Sequence, residues 1–332
     1  MPAGPAERKI ERKILVTGLK PTGRPHLGNY FGMMGRLPEM QEEYESFVFI
    51  ADLHALTTLR APDEMRGNIR GIVLDYLAIG LDPKKAAIYL QSDIPEIAEL
   101  GWIFNCITTM PFLMRAHAFK DAQAKSKEIS VGTFDYPLLM AADILIQDAD
   151  IVPVGADQKQ HVEIARDTAE KFNSLFGDAF KLPDALIMDE TKIVPGTDGR
   201  KMSKSYGNTI PLFAEDEEIA KAVMGIPTDS RGIEEPKDAQ GDTLFALHKL
   251  LSPNIAEIEK KYKEGGMGYK ESKEILIANL VALIAPLRER RKEFEAQGNL
   301  VQEILGRGGE IARERAVEKL ADVKAKAGLA YA

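Results

Sequence analysis

The sequence predicts an α/β fold, a doubly wound parallel sheet followed by a mostly helical C-terminal domain. Apolar, strand-like runs occur at Ile14–Gly18, Ser46–Ala51, Ala87–Gln91 and Ile151–Val154. Helical stretches alternate with them, such as Asp63–Gly80, where Met65, Ile69, Ile72, Val73, Tyr76 and Leu77 recur at helical spacing. Continuously apolar strands separated by helices imply a parallel sheet covered on both faces. Beyond Phe213 the strand signals stop. Glu215–Gly225, Thr243–Leu251, Asn254–Glu264 and Ser272–Gln297 read as helices joined by Gly, Pro and Ser breaks. Asn299–Lys326 reads as a further helical stretch with an interruption at Gly306–Gly309. The expected division is therefore a Rossmann-like domain with a helical insertion over 1–213 and a helical domain over 214–332.

Composition bounds the function. A chain of 332 residues, 45% hydrophobic and 28% charged, has ample core for more than one domain. A net charge of -8 argues against a protein that coats nucleic acid along its whole surface, but leaves room for a local basic face. The lone cysteine, Cys106, excludes an intramolecular disulfide and any multi-cysteine metal site; its apolar neighbours Ile103, Phe104 and Ile107 point to a small buried hydrophobe. The charged start (Glu7, Arg8, Lys9, Glu11, Arg12, Lys13) has no apolar run behind it, and no segment reaches membrane-spanning length. A soluble cytoplasmic protein with a loose lead-in of about a dozen residues is expected.

In a doubly wound sheet the ligand site lies at the carboxyl ends of the strands. Three groups of residues fall there: Gly18–Gly28 after the first predicted strand, Asp52–His54 after the second, and Gly155–Gln158 after the last. Within the first, Pro21-Thr22-Gly23-Arg24-Pro25-His26-Leu27-Gly28-Asn29 reads as a Gly/Pro turn entering a helix, where backbone N–H groups meet phosphates. Far downstream, Lys201-Met202-Ser203-Lys204-Ser205 lies between Gly199 and Gly207. Two lysines and two hydroxyls on a mobile loop suit charge developing on a polyphosphate leaving group.

Together the turn and the lysine loop resemble the two signature motifs of class I aminoacyl-tRNA synthetases. A third stretch narrows the likeness: Phe134-Asp135-Tyr136-Pro137-Leu138-Leu139-Met140-Ala141-Ala142-Asp143-Ile144-Leu145, then Val152-Pro153-Val154-Gly155-Ala156-Asp157-Gln158-Lys159-Gln160-His161. This resembles the tryptophanyl-tRNA synthetase family, in the family's order and over nearly the whole chain. The resemblance implies that L-tryptophan is activated with ATP to an adenylate, releasing pyrophosphate, and passed to tRNA(Trp). It also implies Mg²⁺ on the phosphates, a homodimer, and an anticodon-binding role for 214–332.

The implied roles follow the chemistry. A carboxylate attacking the α-phosphate needs no base, so the work is positioning and charge neutralisation. Lys201 and Lys204 are assigned to the pyrophosphate side, His26 to an ATP phosphate, and Lys120 to the phosphates from the insertion over 122–130. Thr22, Gly28, Asn29, Met202 and Ser203 are placed on the ATP side, and Asp157 on its ribose or adenosine. Asn29 stands where the motif usually has a second histidine, and Lys20 where the family more often has glutamine. Lys20 either adds charge stabilisation beside the carboxylate and α-phosphate or points to solvent. On the amino-acid side, indole N–H is a donor without acceptor capacity and calls for a buried acceptor, assigned to Asp143. Met140 and Tyr136, on the same helix face, form one wall of the pocket, and Val152 and Val154 the other, with Gly18 beside them. His54 would hold the ligand's edge and Gln158 its amino group.

The nearest rival is a tyrosyl-tRNA synthetase, against which Met140 argues, because that family usually places a polar glutamine there. A non-catalytic paralogue binding tryptophan or a protein partner is the rival of another class. A dinucleotide site fails because Gly18-Leu19-Lys20-Pro21 lacks the glycine spacing. A zinc hydrolase fails because the histidines at 26, 54, 117, 161 and 248 show no paired ligand spacing. The apolar run Trp102 to Met114 reads either as a dimer interface or as core.

Overall fold

The computed structural model describes residues 12–116, 119–120, 123–124, 128–155, 158–187 and 194–330. Asp157 and residues 122 and 125–127 of the insertion over 122–130 lie outside these. Among the described residues five strands form one sheet: β1 (Ile14–Leu19), β2 (Glu45–Ile50), β3 (Ala86–Leu90), β4 (Ile151–Val154) and β5 (Asp184–Ile187). All pairings are parallel and the spatial order is β3-β2-β1-β4-β5. Four strands match the apolar runs of the sequence within a residue or two. The fifth, Asp184–Ile187, was not anticipated: it is only four residues long and starts on an aspartate, so its periodicity is too short to register. The residues expected to follow the last strand therefore follow β4, and the switch point lies between β1 and β4.

Alternation along the strands sorts side chains onto two faces. Leu15, Val48, Ile50 and Ile88 enter one core, and Ile14, Val16, Phe47, Phe49, Ala87 and Tyr89 the other. Helices Leu37–Glu43, Pro62–Ile79 and Tyr269–Glu295 supply the first; Pro95–Ile107, Val131–Leu145 and Lys159–Phe176 supply the second. Both cores draw residues from either side of residue 213. A third, smaller core of Ala239, Phe245, Ile258, Tyr262 and Met267 organises the helices beyond it.

Two sequence expectations change. The interruption at Gly306–Gly309 does not exist; Leu300–Lys326 is one helix lying along β3. One of its glycines serves close approach: a Cβ on Gly308 would stand 2.0 Å from the Ile88 carbonyl oxygen. Only the absent side chain lets the helix reach the strand backbone. Cys106 is exposed, not buried. On the helix Pro95–Ile107 its neighbours Ile103 and Phe104 face inward, while Trp102, 70% exposed, and Cys106 face out. The run from Trp102 to Met114 is thus split, with Ile103, Phe104 and Leu113 in the core and Met110 and Met114 on the surface.

These contacts set two opposite mutational outcomes on one helix. Gly308→Ala should lower stability by about 1–3 kcal/mol, because the helix must move off β3 to admit a methyl. Gly306→Ala, at an exposed position with open space around the Cβ, should raise it by about 0.5–1 kcal/mol. Denaturant midpoints of the two variants check the pair; equal and opposite signs from those stated would show that Gly308 is not in contact.

Candidate active site

At the carboxyl end of β1 the chain turns through Pro21–Pro25 into the short helix Leu27–Gly32. Its cap is made by a neighbour: Asn29 Oδ1 accepts the His26 backbone N–H at 3.0 Å. Asn29 thus fixes the turn with its amide oxygen, which leaves its amide N–H₂, the donor a nucleotide oxygen would need. His26 is 8% exposed and its Nδ1 has no hydrogen-bond partner. A Cβ on Gly28 would lie 2.8 Å from the His26 ring, so this glycine makes room for the histidine.

The lysine loop, 182 residues downstream by the separation of Lys204 from Thr22, closes on the same turn. Backbone bonds Leu27 N–H to Ile210 O (3.0 Å) and Leu212 N–H to Pro25 O (3.0 Å) lay the trailing edge of the loop beside His26. Lys204 Nζ donates to the carbonyls of Thr22 (3.0 Å) and Gly23 (2.9 Å). Although its stem is accessible, the ammonium is partly desolvated there, which lowers its pKa; the carboxylate of Asp75 opposes that shift. The His26 pKa is lowered to about 4, first by burial and then by the Lys204 charge. Met202 departs from its expected role: its side chain, 3% exposed, is part of the core, leaving only its backbone for a nucleotide. Ser203 donates its N–H to Asn208 and shares a hydroxyl contact with Ser205. Lys201 and Lys120 are both exposed and not gathered onto the turn.

Beside the turn opens a cavity of about 450 Å³. Gly18, Lys20 and Thr22 from the end of β1, His54, Tyr136 and Met140, Val152, Pro153 and Val154, and Gln158 all line it, together with Val16, Phe49 and Ile144. Nine of the expected site residues therefore share one space. Its lining is mainly apolar with a few polar groups, the usual form of a small-molecule site. Lys20 Nζ stands 5.3 Å from the centre of the Tyr136 ring, and burial lowers its pKa. Of the two expectations for Lys20, the one that points to solvent is overturned. Tyr136 OH and His161 Nε2 are 2.9 Å apart, which anchors the ring from behind.

Asp143 requires a correction. It is completely buried and does not open on the cavity. Its Oδ2 accepts from His54 Nε2 at 2.8 Å, and Gln91 Nε2 reaches both of its oxygens at 2.8 and 3.0 Å. Gln91 Oε1 in turn accepts the His54 backbone N–H at 3.2 Å. Burial pushes the Asp143 pKa up, and hydrogen bonds from His54 and Gln91 hold it down. Met140 and Ile144, four residues apart, line the cavity, while Asp143, between them in sequence, is held behind the wall by His54 and Gln91. Gln91, fully buried, was missed in the sequence, although its position at the carboxyl end of β3 was a usable signal.

This geometry joins the turn, the lysine loop and an apolar amino-acid-sized cavity at one strand edge. A family model described as class I tRNA synthetases for tryptophan and tyrosine (W and Y) matches residues 9–289. The chain belongs to that family. The synthetase is 48% identical over 318 residues to a tryptophan–tRNA ligase of Rhodopirellula baltica, covering 95% of this chain and 99% of the relative. A tryptophan–tRNA ligase of Fusobacterium nucleatum is 45% identical, with 96% and 98% covered. The solved tryptophanyl-tRNA synthetase of Campylobacter jejuni complexed with ADP and tryptophan superposes with a TM-score of 0.88 at 42% identity, covering 95% of this chain and 100% of that one. A tyrosyl-tRNA synthetase of Archaeoglobus fulgidus, 22% identical with a TM-score of 0.68, shares the fold.

The depressed His26 pKa has a defined sign. The folded ring stays neutral down to about pH 4 while the unfolded ring protonates near 6.5, so stability falls as pH drops between those values and levels off below. Histidine NMR titration of the folded protein should show the His26 resonances flat from pH 8 to about 5. A midpoint near 6.5 would show that the ring is solvated and off the turn.

Proposed function

We propose that the chain is a cytoplasmic tryptophan–tRNA ligase, activating L-tryptophan with ATP and transferring it to tRNA(Trp). The observation that carries this reading is the seat of Lys204: an ammonium held on the Thr22 and Gly23 carbonyls at the mouth of an apolar cavity. A polyphosphate bound at the turn would exchange those two carbonyls for charged oxygens, strengthening as charge passes to the leaving pyrophosphate. His26, neutral at physiological pH, donates to phosphate without competing for a proton. Lys201 and Lys120, both exposed, would come onto the phosphates from outside. Lys20 is assigned to the carboxylate and α-phosphate, and Asp157, on the resemblance alone, to the ribose or adenosine.

The indole would lie against Met140, Val152 and Val154, under Tyr136. Its N–H reaches the buried Asp143 carboxylate by replacing one of the two donors now on it, His54 or Gln91, an exchange that leaves the charge solvated by protein throughout. An apolar methionine in the wall gives a phenol hydroxyl no partner, which favours tryptophan over tyrosine. Mg²⁺ would travel on the phosphates; no group of three His, Cys, Asp or Glu side chains gathers among the described residues to cage a metal, so no step is assigned to it. No helix among the described residues is long and apolar enough to cross a membrane. The helices beyond residue 213 are assigned to the tRNA anticodon. The outward face of Trp102, Cys106, Met110 and Met114 is assigned to a homodimer; Trp102→Glu should convert dimer to monomer in sedimentation, and an unchanged mass would place the interface elsewhere.

Tryptophan-dependent ATP–pyrophosphate exchange tests the reading, and its absence in the wild type would favour a non-catalytic relative. Lys204→Ala should slow exchange by about two to three orders of magnitude with little change in tryptophan binding. Asp143→Ala should cost about 2–4 kcal/mol in kcat/KM for tryptophan and much less for phenylalanine, narrowing the preference between them. A folded Asp143 variant that keeps the wild-type ratio would show that the carboxylate only braces His54.

A further inference from the structure

We infer that Asn208 is a positioning residue for the adenylate-forming step, acting through the lysine loop; this rests on the function proposed above. Asn208 follows the lysine loop in sequence and is 2% exposed. Its Oδ1 accepts the Ser203 N–H at 2.8 Å, while its Nδ2 donates to Asp198 Oδ1 at 2.6 Å and to the Lys201 carbonyl at 3.2 Å. The backbone carbonyl of Asn208 also accepts the Thr197 N–H at 2.9 Å. A primary amide has two donor hydrogens and an acceptor oxygen, and here each has a partner of the opposite kind. The orientation is therefore unique, since a flip would set Nδ2 against the Ser203 N–H and Oδ1 against two acceptors.

The gripped atoms are informative. Lys201 O and Ser203 N belong to the backbone between and beside the two lysines, so the amide sets the path from one lysine to the other. Loop backbone without a strand partner leaves its polar groups in need of satisfaction, and this side chain supplies it from inside. Room for it was cleared: a Cβ on Gly196 would fall 2.2 Å from Asn208 Nδ2. Asp198 holds the far side. Its carboxylate also binds the Arg200 guanidinium at 2.6 Å, and that guanidinium stacks 4.3 Å from the centre of the Tyr206 ring. One buried amide thus ties both limbs of the loop together, and Lys204 leaves that frame to meet the Thr22 and Gly23 carbonyls. Without it, each lysine would sample more positions, and the entropy of placing both would return to the activation barrier.

The test is a double-mutant cycle with Lys204 in tryptophan-dependent exchange. Asn208→Ala should lower kcat by about 10- to 100-fold while KM for tryptophan stays within about twofold. In the Lys204→Ala background the same change should cost at least about threefold less than in the wild type, because one of the two lysines through which the residue acts is already gone. A full cost in that background, a KM effect without a kcat effect, or wild-type kcat overturns the inference. Asn208→Asp provides a second arm if the alanine variant does not fold: it keeps the acceptor for Ser203 but sets a carboxylate against Asp198. It should be impaired, and adding Asp198→Asn should restore a donor between the two side chains and recover at least about threefold. No recovery refutes the role. Wild-type protein without exchange activity would instead refute the function proposed above.

Discussion

Two short backbone contacts, Leu27 to Ile210 and Leu212 to Pro25, together with the Lys204 ammonium on the Thr22 and Gly23 carbonyls, hold the phosphate side of the site in register. Everything else at the mouth follows from this seam. It sets His26 beside a cation and away from water, which keeps the ring neutral. It places Lys204 where it must be desolvated, and a desolvated ammonium on two carbonyl dipoles binds a polyanion more tightly than one free in water. The seam is also reversible at small cost, since neutral carbonyls are weaker partners for an ammonium than phosphate. The loop is thereby held ready without being locked.

The amino-acid side rests on a different principle, a buried polar cluster inside an apolar wall. Asp143, Gln91 and His54 satisfy one another, and such a cluster is costly when incomplete. The donor exchange proposed for the indole would keep it complete at each stage. In the proposed exchange, a side chain without a ring N–H would leave the cluster as it stands, so the discrimination expected from it is about the worth of one hydrogen bond to a charged group.

Much of this was legible in the sequence, and the exceptions have physical reasons. The four strongly apolar strands and the long helices follow from periodicity, and the place of the site from the rule that ligands lie at strand carboxyl ends; the cavity residues Tyr136, Met140, Val152, Val154, His54 and Gln158 follow from the family resemblance. Residue type alone did not reveal which way a polar side chain faces. Asp143 was read as a buried acceptor on the helix face of Met140 and Tyr136 and lies buried behind that wall; Cys106 was read as buried and lies outside. Met202 sits within a basic loop yet belongs to the core. In each case one helical step or one loop turn decides, and that angle is set by tertiary packing. Gln91 and Asn208 were overlooked because amides carry no charge, and their value comes from partners distant in sequence or folded back on them. The glycines of 306–309 were read as a break because glycine is a poor helix former; a helix pressed against a strand backbone needs one all the same.

That contact between Gly308 and Ile88 bears on how the chain is made as well as how it is held. In the order β3-β2-β1-β4-β5, β3 is a border strand, and its outer backbone is covered by a helix synthesised more than two hundred residues later. Until that helix emerges from the ribosome, a nascent sheet presents an open, apolar border, the template on which strands of other chains can add. The catalytic half can therefore be assembled early but not protected early. Prematurely terminated chains should be prone to aggregate even with every catalytic residue in place, and the helix at 300–326 acts as the closing stitch that makes the finished sheet safe in a crowded cell.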